Sequence, residues 1–142
     1  MASGNLDPDC IFCKIIRGEI PAQRVFENDH LLAFLDINPL ATGHTVVIPK
    51  THAERLEQLP ADTAGEVARS FGAIATALLK VTGAEGYNVL QNNGSVAGQV
   101  VPHVHFHLVP RRADDGLGYR WNAKSATAEE LTALADRVRG AL

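Results

Sequence analysis

The sequence predicts an α+β domain, with a mostly antiparallel five-stranded sheet, one long central helix and a C-terminal helix. Three observations predict it. Short runs rich in apolar and β-branched residues fall into two groups, a long stretch of helical periodicity separates the groups, and a second such stretch ends the chain. Strands gathered into groups, instead of alternating one by one with helices, are typical of α+β domains. The length of 142 residues suits a single domain.

The first group contains three predicted strands. Runs 24–28 and 31–36 flank Asp29 and His30, which predicts a hairpin with His30 exposed in its turn. Residues 44–49 are rich in β-branched side chains, and these favour a third strand.

The second group contains two predicted strands, at 87–91 and 103–109. Asparagines and glycines fill the segment 92–99 between them, and these residues mark a turn with unusual backbone angles. We expect the two strands to be neighbours in the sheet, because a turn of this kind joins them.

The long central helix is predicted over 62–82, where apolar residues recur three or four positions apart and form a stripe that faces the core. Thr63 and Glu66 form a capping-box pattern near its start, and Gly83 suits its end. The stripe consists of Val67, Phe71, Ile74 and Leu78.

A second helix is predicted over 127–142. Thr127 and Glu130 form a capping-box pattern at its start. Its apolar stripe consists of Leu131, Leu134 and Val138.

Composition and charge exclude several classes of protein. Thirteen Lys and Arg against sixteen Asp and Glu give a formal charge of −3. We therefore expect neither nucleic-acid nor membrane binding, because no basic excess exists to grip a polyanionic surface. The N-terminal residues lack the apolar core of a secretion signal, and no apolar run reaches ~18 residues. These features predict a cytoplasmic protein.

Three of the six histidines fall within five residues, at His103, His105 and His107. Side chains alternate between the faces of a strand, so the three imidazoles should project from one face over ~13 Å. Val104, Phe106 and Leu108 should then face the core. A solvent-facing strand usually mixes Thr, Lys, Glu and Arg, and the row therefore predicts either a metal site or acid–base and nucleophilic chemistry.

The glycine-rich segment before this strand favours the second possibility. The backbone N–H groups of Gly94, Gly98 and Gln99 could bind an anion, as successive N–H groups do around phosphates. An anion site beside a nucleophilic imidazole indicates phosphoryl or nucleotidyl transfer.

Three segments carry a resemblance to a known family. Residues 98–109, G-Q-V-V-P-H-V-H-F-H-L-V, resemble the signature of the histidine triad (HIT) superfamily, and residues 10–21 and 35–52 resemble its Hint-like branch with an N-terminal C-x-x-C. The resemblance implies one HIT domain over 1–142, with a core at about 10–110 and a C-terminal extension, carrying a helix, at about 111–142. It also implies hydrolysis or transfer of nucleotides through a nucleotidyl-histidine intermediate, as in the purine nucleoside phosphoramidases.

The resemblance assigns four histidines to catalysis. His105 matches the nucleophile that attacks the α-phosphorus, and His107 matches the residue that contacts phosphate and assists the leaving group. His103 would orient the nucleophile from behind. His44 matches a residue that supports the triad.

The resemblance also implies a nucleotide site. Asp36 would receive the ribose hydroxyls, although a turn-capping role remains open for an Asp at this position. Asn92, Gly98 and Gln99 match the phosphate-side loop, and Val100 stands where many members have Ser or Thr, which leaves only its backbone N–H for phosphate. The apolar walls around the base would be Ile11, Phe12, Ile15, Phe34, Ile37 and Val46.

The pair Cys10 and Cys13 has the C-x-x-C spacing of redox and zinc sites. A tetrahedral zinc needs two further ligands, and the resemblance implies His52 and His103, with His44 as the alternative to His52. Such a zinc would be structural, and the chemistry itself would need no cofactor. The alternative is two reduced thiols without metal.

Two other functions stay open at this point. One is hydrolysis of dinucleoside polyphosphates, as in another branch of the superfamily, and the other is a non-catalytic module that senses nucleotides or mediates zinc-dependent interactions. The resemblance further implies a homodimer formed through the long helix and an edge strand, with a purine nucleotide or nucleoside phosphoramidate as substrate.

Overall fold

A computed structural model of the protein describes residues 5–118 and 122–142. Trp121, in the predicted C-terminal extension, lies outside the described residues. The helices and strands, in chain order, are α1 Ile11–Ile16, β1 Arg24–Glu27, β2 Leu31–Leu35, β3 Thr45–Pro49, α2 Ala61–Thr82, β4 Gly86–Gln91, β5 Phe106–Arg111 and α3 Ala128–Ala141. Short 3₁₀ turns at Leu56–Gln58 and Ser95–Ala97 lie in the connections.

The five strands form one antiparallel sheet in the order β1-β2-β3-β5-β4. This confirms the predicted α+β class, the hairpin formed by β1 and β2, and the pairing of the two strands that follow the long helix. The β3–β5 pairing brings Val46 opposite His107, and the β4–β5 pairing brings Gln91 opposite Phe106. The histidine-bearing strand therefore lies inside the sheet, between β3 and β4.

Both faces of the sheet are covered, which explains why β2 and β3 are almost entirely buried instead of alternating. Helix α2 covers one face, where Val67 and Ile74 pack in a cluster with Leu31, Val47 and Leu108. This confirms that the helical stripe belongs to the core. Helix α1 covers the other face through a second cluster, made of Ile15, Leu32, Phe34, Val46 and Ile48 with Phe12 packed against it.

The predicted strand at 103–109 is wrong in its first three residues, because β5 begins only at Phe106. The N–H of His103 donates to Val101 O and the N–H of Val104 donates to Ala53 O, so neither joins the sheet ladder. The side-chain alternation nevertheless extends through this segment. Val104 is fully buried on the core side, as is Leu108 within the strand.

Helix α2 begins at Ala61, within one residue of the predicted start at 62. The predicted capping box is wrong, because no side-chain cap forms and the Thr63–Glu66 pattern lies inside the first turns. The N-cap residue is Pro60, whose fixed φ near the helical value suits the entry to a helix. The predicted end is confirmed, since Gly83 adopts φ +67°.

The two remaining helices differ in how well the sequence predicts them. Helix α3 has the expected capping box between Thr127 and Glu130. The six-residue helix α1 has no counterpart among the predicted elements. Among the helices of residues 5–118 and 122–142, none combines the length and apolar character that a bilayer crossing requires.

Candidate active site and metal centre

The three imidazoles form a row on the α1 face of the sheet. His103 is fully buried and His105 is 6% exposed, whereas His107 is half-buried. The ring centroids of His105 and His107 lie 5.0 Å apart. The prediction that all three side chains share one face is confirmed, because Phe12 of α1 contacts both His103 and His105, and the ring of His107 packs against that of His105.

His105 is held by its own backbone neighbour. Its Nδ1 lies 2.7 Å from the carbonyl oxygen of His103, which can only accept a hydrogen bond. Neutral His105 therefore carries its proton on Nδ1. Its Nε2 keeps a free lone pair, the form that a nucleophilic imidazole requires.

A second chain of hydrogen bonds fixes His107. The N–H of Leu40 donates to Nδ1 of His44 at 3.0 Å, so neutral His44 carries its proton on Nε2. That Nε2 lies 2.9 Å from Nδ1 of His107 and donates to it. Neutral His107 therefore carries its own proton on Nε2, where it is available to a bound molecule.

Burial keeps His44 and His107 neutral. Burial, reinforced by the neighbouring imidazoles of His105 and His44, lowers the pKa of His107 to about 4. Burial also lowers the pKa of His44, and the carboxylate of Asp36 offsets part of this effect. Both side chains are therefore uncharged at neutral pH and act through hydrogen bonds.

Asp36 follows β2 and lies at the edge of the site. Its Oδ1 accepts from the N–H of Asn38 at 2.8 Å, so the turn-capping role is present. Its Oδ2 lies 3.6 Å from Nε2 of His44, and its side chain is 22% exposed. One carboxylate oxygen is thus committed to the turn, and the other faces the histidine pair.

The loop after β4 begins where the β4–β5 ladder ends. Gln91 pairs with Phe106, and Asn92 and His105 are the next residues along the chain on either side of that last pair. Gly94 and Gly98 have φ of +86° and +92°, which confirms the predicted unusual backbone of this turn.

The side chain of Gln99 holds this loop together. Its Oε1 accepts from the N–H of Gly94 at 2.7 Å, and its Nε2 donates to Glu54 O and Val101 O at 2.7 and 3.0 Å. The amide is thus bonded on both sides to backbone groups, and Gln99 shapes the loop through its side chain.

The predicted availability of three loop N–H groups for an anion is wrong. The N–H groups of Gly94, Gly98 and Gln99 donate to Gln99 Oε1, Ser95 O and Gly94 O, respectively. Within the described part of the chain, the N–H of Val100 makes no such bond, and its side chain is 89% exposed. Val100 therefore offers an N–H next to this loop that is available to an anion.

A separate cluster joins the two cysteines to His52 and His103. One donor atom from each of these four residues lies within 4.8 Å of the others. Nδ1 of His103 lies 3.4 Å from Cys10 Sγ, 3.5 Å from Cys13 Sγ and 3.1 Å from Nδ1 of His52. His44 lies against His107 instead, so the structure places His52 and not His44 with the cysteines.

The donor set fits a tetrahedral metal ion. Zinc takes thiolate sulfur at ~2.3 Å and imidazole nitrogen at ~2.0–2.1 Å, which separates neighbouring donors by about 3.3–3.8 Å, close to the observed distances. Nε2 of His103 donates to Pro49 O at 3.0 Å, and Nδ1 therefore keeps its lone pair for a metal. Burial lowers the pKa of His103 to about 4, so the ring is neutral.

Backbone N–H groups also contact the sulfur atoms of both cysteines. The N–H of Asp7 donates to Cys13 Sγ at 3.4 Å, and the N–H of Cys13 donates to Cys10 Sγ at 3.5 Å. Burial raises the pKa of the Cys13 thiol to about 11, so a bound cation would be needed to keep it as a thiolate at neutral pH. Four protein donors leave no open coordination position, which is typical of a structural site.

Comparison with known proteins identifies the family. The HIT domain matches residues 17–114 of the chain. The chain belongs to the HIT family. A relative named adenosine 5'-monophosphoramidase, from Schizosaccharomyces pombe, is 42% identical over 130 residues, which are 91% of this chain and 95% of the relative.

Solved structures agree with the fold of this HIT domain. The crystal structure of a HIT family member from Bacillus subtilis superposes with a TM-score of 0.90 at 40% identity, covering 94% of this chain and 97% of that one. A zinc-bound histidine triad family protein from Mycobacterium smegmatis gives a TM-score of 0.74 at 38% identity, covering 94% and 98%.

The apolar residues expected around a base are only partly brought together in this HIT domain. Phe12, Ile15, Phe34 and Val46 share the cluster on the α1 face, next to the histidine row. Ile11 and Ile37 are 47% and 88% exposed and lie outside that cluster as the structure describes it.

Backbone groups complete the site, and no pattern in the sequence indicated them. The carbonyl of Pro49 orients His103, the N–H of Leu40 orients His44, and the N–H of Asp7 contacts Cys13. Main-chain groups are common to every residue, so no side-chain pattern could have identified these three.

Proposed function

We propose that this HIT protein is a nucleotidyl hydrolase that forms a covalent intermediate on His105, with purine nucleoside phosphoramidates such as an AMP-amine as its substrate class. The observation that carries the proposal is the hydrogen bond from His105 Nδ1 to His103 O at 2.7 Å. It leaves Nε2 as the attacking atom. The name of the fission-yeast relative supports the substrate class.

In the first step, the Nε2 lone pair of His105 attacks the α-phosphorus and a P–N bond to the histidine forms. The bond between phosphorus and the leaving amine or oxygen breaks, and its electron pair leaves with that group. In the second step, water attacks the same phosphorus, which releases AMP and restores His105. Nucleophilic catalysis accelerates such a reaction because it replaces one difficult displacement with two easier ones.

His107 would protonate the leaving group. Its Nε2 carries a proton because its Nδ1 accepts from His44 at 2.9 Å. The 5.0 Å between the rings of His105 and His107 brings the proton close to the phosphorus under attack. Water can return a proton to His107 in the second step.

The nucleotide would be held around this pair. Oδ2 of Asp36, the carboxylate oxygen that is not bonded within the turn, is suited to accept hydrogen bonds from ribose hydroxyls. The N–H of Val100 is suited to donate to a phosphate oxygen. Asn92, which follows the last residue of β4, could also donate through its side chain. Gly98 and Gln99 would contribute by shaping the loop.

Zinc is the metal we propose for the Cys10, Cys13, His52 and His103 cluster. The two-sulfur, two-nitrogen donor set supports it, as does a zinc-bound neighbour among solved structures. The ion would supply a cross-link between α1 and the segment before β5. The chemistry at His105 needs no metal, because the residues described above provide the nucleophile and the acid.

We also propose a homodimer and a cytoplasmic location. Strand β4 is an edge strand in which Tyr87 and Val89 are each 42% exposed, and Val81 on α2 is 83% exposed. Apolar side chains on an edge strand and a neighbouring helix support self-association. The free thiols of Cys10 and Cys13 accord with a reducing compartment.

One experiment tests the activity directly. The protein is incubated with an AMP-amine, quenched and analysed by mass spectrometry for an adenylyl group on His105. We expect the adduct on the wild type, none on His105→Ala, and a loss of kcat by orders of magnitude in that variant with AMP binding retained. Most of the turnover persisting in His105→Ala would refute the mechanism.

A comparison of substrates tests the substrate class. Rates on the AMP-amine should exceed rates on a diadenosine polyphosphate. The reverse order would favour the dinucleoside polyphosphate hydrolase, and AMP binding with neither activity would favour a nucleotide-sensing module.

A further inference from the structure

Helix α1 contributes residues both to the proposed metal centre and to the surroundings of the histidine row. Its N-cap residue Cys10 and its third residue Cys13 supply the two sulfurs of the metal centre. Phe12, between them, points toward the histidine row instead. A single turn of helix therefore carries metal donors on one side and an aromatic contact to the nucleophile on the other.

Phe12 packs against three rings. Its centroid lies 5.1 Å from that of His105, with the ring planes at 77°, and 5.8 Å from that of His103, with the planes at 81°. Phe34 lies 5.8 Å away at 65°. These are edge-to-face contacts, each of which favours one relative orientation of the two rings.

The ring of His105 has two close aromatic neighbours. Its centroid lies 5.1 Å from that of Phe12 and 5.0 Å from that of His107. The hydrogen bond to His103 O fixes the position of Nδ1. Rotation of the imidazole about χ2 would break that bond and would change the edge-to-face contact with Phe12.

Helix α1 needs outside support to hold Phe12 there. It has six residues, far fewer than the ~12–15 that an isolated helix needs in water. Its fixed points are the packing of Ile15 in the cluster on the α1 face and the two cysteines in the metal cluster. Metal binding at the cysteines would therefore restrain Phe12 as well.

We propose that Phe12 is a positioning residue that transmits the anchoring of α1 at the metal centre to the ring of His105. Its edge holds the imidazole in the orientation that keeps Nδ1 on His103 O and Nε2 free. The inference rests on the proposed function in one respect, since it takes His105 as the nucleophile. It differs from a role as a wall for the base, which would affect nucleotide binding alone.

The first test measures the His105 ring in nucleotide-free, zinc-loaded protein at pH 8. Nitrogen-15 NMR of labelled histidine reports which ring nitrogen carries the proton. We expect the Nδ1–H form in the wild type, a mixture of the two tautomers in Phe12→Ala, and recovery of the wild-type signal in Phe12→Tyr, whose ring keeps the edge contact.

Phe34→Leu is the matched control. Phe34 contacts Phe12 and belongs to the same cluster, so its substitution tests loss of an aromatic wall without loss of the ring next to His105. We expect the Nδ1–H form to remain in Phe34→Leu. An unchanged tautomer in Phe12→Ala would overturn the proposal. Should Phe12→Ala fail to fold or to bind zinc, Phe12→Leu replaces it.

The second test separates binding from chemistry. In single turnovers, the rate of adduct formation should fall roughly 10- to 100-fold in Phe12→Ala, as expected for a misplaced reacting group. The Kd for AMP should change less than about threefold. A large change in Kd with an unchanged adduct rate would identify Phe12 as a wall of the base pocket and overturn the proposal.

The third test measures the coupling to the metal centre. Chelation should shift the tautomer signal of His105 in the wild type and have a smaller effect in Phe12→Ala, because the contact is already lost there. Equal effects in both proteins would contradict transmission through Phe12. The NMR readout needs no reaction, so it remains interpretable even if no adduct forms on wild-type His105 and the proposed function fails.

Discussion

Nε2 of His44 lies 2.9 Å from Nδ1 of His107, and this bond sets which nitrogen of His107 carries a proton. His44 can donate there only because the N–H of Leu40 occupies its Nδ1 at 3.0 Å. The last group in the series, Nε2–H of His107, is the one available to a leaving group. A backbone amide in the β2–β3 connection therefore determines the proton donor of the site.

His44→Ala should slow the reaction without abolishing it. Without the donor at Nδ1, His107 can adopt the other tautomer, and its proton no longer lies reliably on Nε2. We expect kcat to fall roughly 10- to 100-fold, less than the ~10²–10⁴-fold that general acid catalysis contributes in total. KM should change little, and steady-state kinetics on an AMP-amine measures both.

His30→Ala is the matched control for His44→Ala. His30 lies exposed in the β1–β2 turn, away from the histidine row, and its substitution should leave kcat unchanged. A wild-type kcat in His44→Ala would show that His107 needs no orienting donor.

Zinc should stabilise the protein through the four-residue cluster. Metal analysis of protein purified without chelator should find about one zinc per chain. A ligand that binds only the folded state at 1,000 times its Kd adds ~4 kcal/mol, so chelation should lower the melting temperature by roughly 10 °C or more. Differential scanning fluorimetry measures this shift.

The double variant Cys10→Ser, Cys13→Ser is the control for metal removal. It lacks both sulfur donors and should show no change in melting temperature with added zinc or chelator. Zinc content well below one per chain in the wild type would rule out the proposed centre.

The stability of the metal-free protein should depend on pH through His107. Its folded-state pKa, about 4, lies below the ordinary value of 6.5, so between these values the unfolded chain binds more protons than the folded one. The free energy of unfolding should therefore be fully retained above pH 6.5 and decline as the pH falls toward 4. Urea titrations at several pH values, with chelator present, measure the slope.

In His107→Asn, the free energy of unfolding should depend less steeply on pH between about 4 and 6.5, because this variant lacks the titrating group. His30→Asn should follow the wild type. Identical slopes for His107→Asn and the wild type would mean that the burial of His107 does not suppress its protonation.

Gly98→Ala should damage the phosphate-side loop. Gly98 has φ +92°, a region that costs other residues about 1–3 kcal/mol. A Cβ there would make only an ordinary contact with Nδ2 of Asn92, at 3.5 Å, so the cost comes from the backbone conformation. We expect lower stability by about 1–2 kcal/mol in urea denaturation and weaker AMP binding by calorimetry.

Gly72→Ala provides the opposite case. Gly72 lies within α2, has an ordinary φ, and a Cβ there meets nothing within 4 Å. This substitution should stabilise the protein by about 0.5–1 kcal/mol. Equal effects from the two glycine substitutions would contradict the role of the loop conformation.

Local sequence patterns predicted those parts of the fold that depend only on the residues of a single segment. Alternation placed Val104 and Leu108 in the core and the histidines opposite, and helical spacing predicted the buried stripe with Val67 and Ile74. The resemblance of short motifs to a known family predicted that Cys10, Cys13, His52 and His103 lie together, with His52 and not His44 beside the cysteines.

Structural features that depend on groups far apart along the chain, or on a particular loop conformation, were not predicted from the sequence. Strand β5 starts late because the N–H of Val104 bonds to the carbonyl oxygen of Ala53, which lies 51 positions earlier in a segment with no strand signal. Helix α1 is too short for periodicity to be visible. The loop N–H groups are used by the side chain of Gln99 and by neighbouring carbonyls, and such bonds depend on a loop conformation that composition does not specify.

The metal cluster joins positions far apart along the chain. Cys10 and Cys13 lie 93 and 90 residues before His103, and four of the five strands and α2 lie between them. A bound ion would close this segment into a loop, removing about 4 to 5 kcal/mol of unfolded-chain entropy in the simplest polymer account. The cysteines are synthesised early, yet they can be locked in place only after His103 has been made. During synthesis, the two cysteines would thus emerge about ninety residues before the histidine that holds them in place.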